Sequence, residues 1–146
     1  MADTKLDLNS NKSATCSGDP LRILLVEDNK DNQFLFRAFL KKLPCSLEIA
    51  ENGAIGVEKF SAGNFDLVIM DMQMPVMDGY TATRTIRQWE KDQGRNPTPI
   101  VALTANAIAE TAEKSLDAGC TAHETKPIQR AQFIELICHY TGGREL

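Results

Sequence analysis

The 146-residue chain contains no apolar run approaching the roughly 20 residues needed to cross a bilayer. Its N-terminus has no apolar signal core. Both absences make the cytoplasm the expected compartment and give no reason to expect a membrane partner. Its four cysteines, Cys16, Cys45, Cys120 and Cys138, form no C-x-x-C pair and no close cluster with histidine. That argues against a zinc site and for reduced thiols. There is no excess of basic charge either. Sixteen Lys and Arg stand against twenty Asp and Glu, a net charge of -4, so nothing draws the chain to nucleic acid.

What is present is an ordinary globular composition, 42% hydrophobic and 25% charged, at a length that suits one domain. Residues 1–20 are polar and cannot bury enough apolar area to offset ordering entropy, so a disordered tail is expected there. The folded domain is expected over 21–141, with a flexible end at 142–146 that carries Gly142-Gly143. Between these limits apolar strands alternate with helical patterns. Strands are predicted at 22–26, 47–50, 65–70, 100–103 and 121–124, the second reading as an edge. Helices are predicted at 29–42, 53–62, 78–92, 107–118 and 129–140. Phe34, Leu35, Ala38 and Phe39 mark the apolar spacing of the first helix, which Pro44 should end. Phe133, Ile134, Ile137 and Cys138 should face inward on the last. Asp78 is the expected N-cap of the third helix, and Gly119 should close the fourth.

Five strands alternating with five helices predict an α/β fold: a doubly wound, five-stranded parallel sheet with right-handed crossovers and strand order 2-1-3-4-5. In such sheets the ligand crevice lies beyond the strand C-termini, where strands 1 and 3 diverge. The residues that follow the central strands are Glu27-Asp28, Asp71, Thr104 and Lys126-Pro127. Each has a bland explanation alone: a solvated turn, a strand end, a loop hydroxyl, an exposed lysine. Their shared edge is what sets them apart. Three carboxylates within a few Å repel unless a cation joins them, and hard oxygens with room for water suit Mg²⁺. A carboxylate beside that metal is already ionised and can attack phosphorus without a general base. The ammonium and the hydroxyl would then meet the phosphoryl oxygens.

The motifs LLVEDN at 24–29, LVIMDMQMPVMDG at 67–79, ALTA at 102–105 and TKP at 125–127 resemble the receiver-domain signature of two-component signalling, the flavodoxin-like receiver fold. The resemblance covers about 21–140. It implies that Asp71 is the phosphoacceptor and that Glu27, Asp28, Asp71 and the Gln73 backbone carbonyl hold Mg²⁺. It implies that Thr104 and Lys126 contact the phosphoryl group, and that the peptide before Pro127 is often cis. The implied donor is a histidine kinase or a histidine phosphotransfer protein, and the implied output is a shift in a conformational equilibrium that controls binding of a downstream protein. Two departures stand out. The switch position on strand 5, usually Tyr or Phe, is His123; together with ALTANA at 102–107 and the long third helix, it resembles receivers attached to hybrid histidine kinases. Gln73 and Asn106 occupy the positions that tune dephosphorylation in the family.

Rival readings fail on particular residues. A phosphatase of the haloacid dehalogenase type needs a second acid two residues beyond its nucleophile, and that position is Gln73. A flavin-binding module needs a Ser/Thr-rich phosphate loop after strand 1, where Glu27, Asp28 and Asp31 would repel phosphate. A pseudo-receiver would not need the complete acidic set with Thr104 and Lys126. With no output domain after Tyr140, the expectation is a single-domain regulator or phosphorelay carrier, or a piece of a larger protein.

Overall fold

The computed structural model describes residues 20–74, 76–105 and 109–142; the tail expected over 1–20 lies outside them except for Pro20, and so do residues 143–146 of the expected flexible end. Five strands and five helices alternate: β1 (Leu21–Val26), α1 (Lys30–Phe39), β2 (Cys45–Ala50), α2 (Gly53–Ala62), β3 (Leu67–Asp71), α3 (Gly79–Asp92), β4 (Ile100–Thr104), α4 (Ala109–Ala118), β5 (Ala122–Thr125) and α5 (Arg130–Tyr140). The sheet order is β2-β1-β3-β4-β5, and every pairing is parallel. That is the predicted 2-1-3-4-5 arrangement, with its switch point between β1 and β3.

The apolar sequences of the central strands β1, β3 and β4 follow from burial on both faces. Alternate side chains feed two cores. Leu24, Val26, Val68, Met70, Ile100 and Ala102 pack with Phe60, Tyr80 and Ile86 beneath α2 and α3. Ile23, Leu25, Ile69, Val101 and Leu103 pack with Phe36, Phe133 and Ile137 beneath α1 and α5. Gly56 lets α2 lie directly on β1, since a Cβ there would sit 2.8 Å from a Val26 methyl.

Side-chain caps start three helices as their sequences suggest. The side chains of Asn29, Asn52 and Asp78 accept from the N–H groups of Asn32, Ile55 and Thr81. Gly119 follows α4 with a φ of 111°. Among the described residues, no helix is long and apolar enough to cross a membrane.

The apolar face expected for α1 is corrected. Phe34 is 75% exposed and Leu35 is also exposed, whereas Phe36 and Leu40 are buried. Two apolar stripes compete on this helix, one through Phe34, Leu35 and Ala38, the other through Phe36, Phe39 and Leu40. Tertiary packing selects the second, because Phe36 stacks on Phe133 at 4.9 Å and Phe39 approaches the same ring. The helix also stops at Phe39 rather than Lys42. The chain must be extended by Pro44, whose carbonyl accepts from Leu21 N–H. On α5 the buried residues are Phe133, Leu136 and Ile137, while Ile134 and Cys138 are only half-buried.

At the sheet edge remote from the strand C-termini, buried Glu90 accepts from Arg87 and from the Thr98 N–H, while Arg87 also donates to the Gly119 carbonyl. This ties α3 to the chain entering β4 and leaving α4. The two-sided core makes a direct prediction. Phe133→Ala removes a fully buried ring shared by α1 and α5. It is expected to cost about 3–5 kcal/mol in a urea-unfolding measurement.

Candidate functional site

The carboxyl ends of β1 and β3 carry the acidic residues because parallel pairing brings those ends level: Val26 lies opposite Met70, so Glu27 and Asp71 are neighbours across the switch point. Glu27 continues the strand, its N–H donating to the Ala50 carbonyl at 2.9 Å. Its side chain is fully buried. Asp71 ends β3, also buried, and Asp28 stands exposed at the rim. Carboxylate oxygens of Glu27, Asp28 and Asp71 all lie within 4.8 Å of one another, a spacing that one metal ion could bridge.

Lys126 enters from the far side of the sheet. Its Nζ lies 3.3 Å from Glu27 Oε1 and 3.3 Å from Asp71 Oδ1. Main-chain bonds place it: Lys126 N–H donates to the Thr104 carbonyl at 2.8 Å, and the Lys126–Pro127 peptide is cis, as the resemblance implied. Thr104 ends β4, buried and level with Thr125 on β5. Its main chain joins the site through Lys126.

Three carboxylates and one ammonium leave a deficit of two positive charges. Burial pushes Glu27 up to about 6 from an ordinary 4.5; the Asp71 carboxylate adds to the rise, while the Asn29 N–H and Lys126 oppose it. A divalent cation with oxygen preference fits this donor set in charge and in spacing. The Asp71 end of β3 is firmly held. Gln73 N–H donates to Asp71 Oδ1 at 3.1 Å, Met72 N–H to the Leu103 carbonyl at 3.1 Å, and Gly79 N–H to the Met72 carbonyl at 3.3 Å. A Cβ at Gly79 would collide with the Asp71 carbonyl oxygen, so α3 can start this close to the site only on glycine.

The structure thus gathers Glu27, Asp28, Asp71 and Lys126 by their side chains. Gln73 contributes a main-chain donor to Asp71, and its side chain is exposed. His123 lies apart, half-buried on β5 opposite Ala102. Asn106 falls outside the described residues. Sequence reasoning missed the first turn of α1. There Asn29 N–H donates to Glu27 Oε2 at 3.1 Å, the Asn32 amide to Glu27 Oε1 at 3.4 Å, and the Gln33 amide to the Glu27 carbonyl at 2.7 Å. The available signal was a run of amide residues, Asn29, Asn32 and Gln33, just after an acidic pair.

Comparison with known proteins agrees with this geometry. The response regulator receiver domain family model matches residues 23–138. The sensor histidine kinase GacS of Pseudomonas protegens is 38% identical over 133 residues, which is 91% of this chain but 14% of that kinase. The chain therefore spans a small part of such relatives. Among solved structures, the receiver domain of sensor histidine kinase PA1611 from Pseudomonas aeruginosa, with magnesium coordinated in its active site cleft, is 36% identical. It superposes with a TM-score of 0.76 over 84% of this chain and 98% of that one. The receiver domain of Saccharomyces cerevisiae Ssk1, crystallised with the histidine phosphotransfer protein Ypd1, is 34% identical with a TM-score of 0.81, over 84% of this chain and 90% of that one. The sheet order, the acidic cluster and these matches together show that the chain belongs to the response regulator receiver domain family of two-component phosphorelays.

Proposed function

We propose that Asp71 is the phosphoacceptor and that the chain takes a phosphoryl group from a phosphohistidine on a histidine kinase or a histidine phosphotransfer protein. The observation that carries this reading is Lys126, whose Nζ is shared at 3.3 Å between Glu27 and Asp71 within a cluster of three carboxylates. An oxygen of Asp71 attacks phosphorus as the phosphorus–nitrogen bond breaks. The imidazole leaves with the bonding pair, neutral when its other ring nitrogen carries a proton. Glu27, Asp28, Asp71 and the main-chain carbonyl of Gln73 would hold Mg²⁺, which when bound neutralises the carboxylates and draws charge from the phosphoryl oxygens. Lys126 supplies a second positive charge, and the Gln73 N–H keeps the Asp71 carboxylate oriented. The Thr104 hydroxyl, at the end of the neighbouring strand, is proposed to donate to the phosphoryl group. With Thr125 level with Thr104 and His123 level with Ala102, movement of Thr104 would pass to β5 and bias the α4–β5–α5 face toward a downstream protein.

The chain acts in this reading as a signalling module in the cytoplasm, promoting its own phosphorylation and slow dephosphorylation rather than turning over a metabolite. The protein donor needs a docking face beside the site. Phe34 and Leu35, exposed on the helix that begins two residues after Asp28, supply an apolar one.

Three outcomes are expected. Incubation with acetyl phosphate and Mg²⁺ should add one phosphoryl group, seen by intact mass, and Asp71→Asn should abolish it; modification of Asp71→Asn to the same extent would sink the assignment. Raised Glu27 titration sets the pH response. The metal-free fold binds the Glu27 proton more tightly than the unfolded chain does, so the stabilising contribution of that proton is complete below 4.5 and is lost as pH rises through about 6, above which Glu27 is ionised. Mg²⁺ needs the ionised form, so its affinity by calorimetry should weaken as pH falls through about 6. Finally, Phe34→Asp should slow transfer from a phosphorylated donor protein by roughly tenfold or more. It should leave acetyl phosphate labelling unchanged, and equal rates with the protein donor would remove α1 from the docking face.

A further inference from the structure

Among the described residues the fully buried Glu27 carboxylate has three donors, and two of them come from the N-cap and first turn of α1. Asn29 N–H takes Oε2, while Oε1 is divided between the Asn32 amide at 3.4 Å and the Lys126 ammonium at 3.3 Å. Helix geometry aims this amide. Asn32 N–H is fixed by the Asn29 cap at 2.9 Å, and Gln33, next along the helix, grips the Glu27 carbonyl at 2.7 Å. Asn32 Nδ2 rather than Oδ1 must face Glu27, because an ionised carboxylate only accepts.

We propose that Asn32 is a positioning residue of the phosphoryl-transfer site: its amide holds the Glu27 carboxylate in the orientation that serves the cation and keeps Lys126 from pairing with Glu27 alone. Without that donor, Oε1 keeps, among the described residues, only Lys126. The ammonium would then be drawn toward Glu27 and away from Asp71, which it now shares evenly. Asn32 thus acts at one remove on the acceptor, through the sharing of a single ammonium. The proposal deepens the assignment of Asp71 and rests on it.

The test compares the wild-type chain with Asn32→Leu and Asn32→Gln. Leucine is close to asparagine in size, has no donor and is the better helix former, so a loss of function cannot come from unwinding α1. Mg²⁺ affinity by calorimetry and the rate of acetyl phosphate labelling are read on all three, with thermal unfolding measured without metal. Asn32→Leu is expected to weaken Mg²⁺ binding by about tenfold, as loss of a group that orients a metal ligand does. Its metal-free melting temperature should be unchanged or higher. Asn32→Gln keeps a donor and should recover most of the affinity. Unchanged Mg²⁺ affinity in Asn32→Leu would overturn the proposal, and so would an equal loss in Asn32→Gln. A wild-type chain that binds Mg²⁺ but is not modified at Asp71 would instead overturn the phosphoacceptor assignment, and this proposal with it.

Discussion

Three carboxylates crowded at the ends of two adjacent parallel strands are the constraint on which the rest of this molecule turns. Glu27 and Asp71 are buried, and their charges cannot be screened by bulk water as surface charges are. Among the described residues, only one ammonium meets them. Such a cluster is costly in an apolar domain, and the cost shows in the elevated titration of Glu27. The surrounding fold is arranged to hold the cluster in place: Lys126 is set by a main-chain bond to β4, and the start of α3 is pressed against the backbone of Asp71.

The architecture explains why the charges meet there. Every strand of a parallel sheet points its carboxyl end the same way, and the reversal of strand order between β1 and β3 opens a crevice at that edge. The opposite edge carries a different kind of polar network. There Glu90 and Arg87 satisfy one another and the loops around them, so the pair ties α3 to neighbouring chain without exposing charge to a crevice. Charge that is internally satisfied stabilises; charge left in deficit suits a divalent cation. The two ends of one sheet therefore do different work.

Much of this was legible in the amino-acid sequence. The central strands β1, β3 and β4 are two-sided apolar runs, three helix starts carry Asn or Asp, and the acidic, hydroxyl and lysine residues fall just at or after strand ends. Those features depend on local pattern and on the strand order that right-handed crossovers impose. Local pattern could not choose between the two apolar stripes of α1. Phe34 with Ala38 and Phe36 with Leu40 are each spaced four residues apart, and the stacking of Phe36 on Phe133, nearly a hundred residues away, made the choice. Nor could it show that Asn32 reaches back to Glu27, because an amide in a first helical turn reads as an ordinary polar position.

The sequence by itself determined the element order, the parallel sheet and the identity of the groups at its carboxyl edge, since these follow from hydrophobic period and from chain direction. Only the tertiary structure decided which face of α1 is buried, how one lysine is divided between two carboxylates, and which side chains orient the acid pocket. Those are contacts between segments far apart in the chain, and their distances depend on how the helices settle on the sheet.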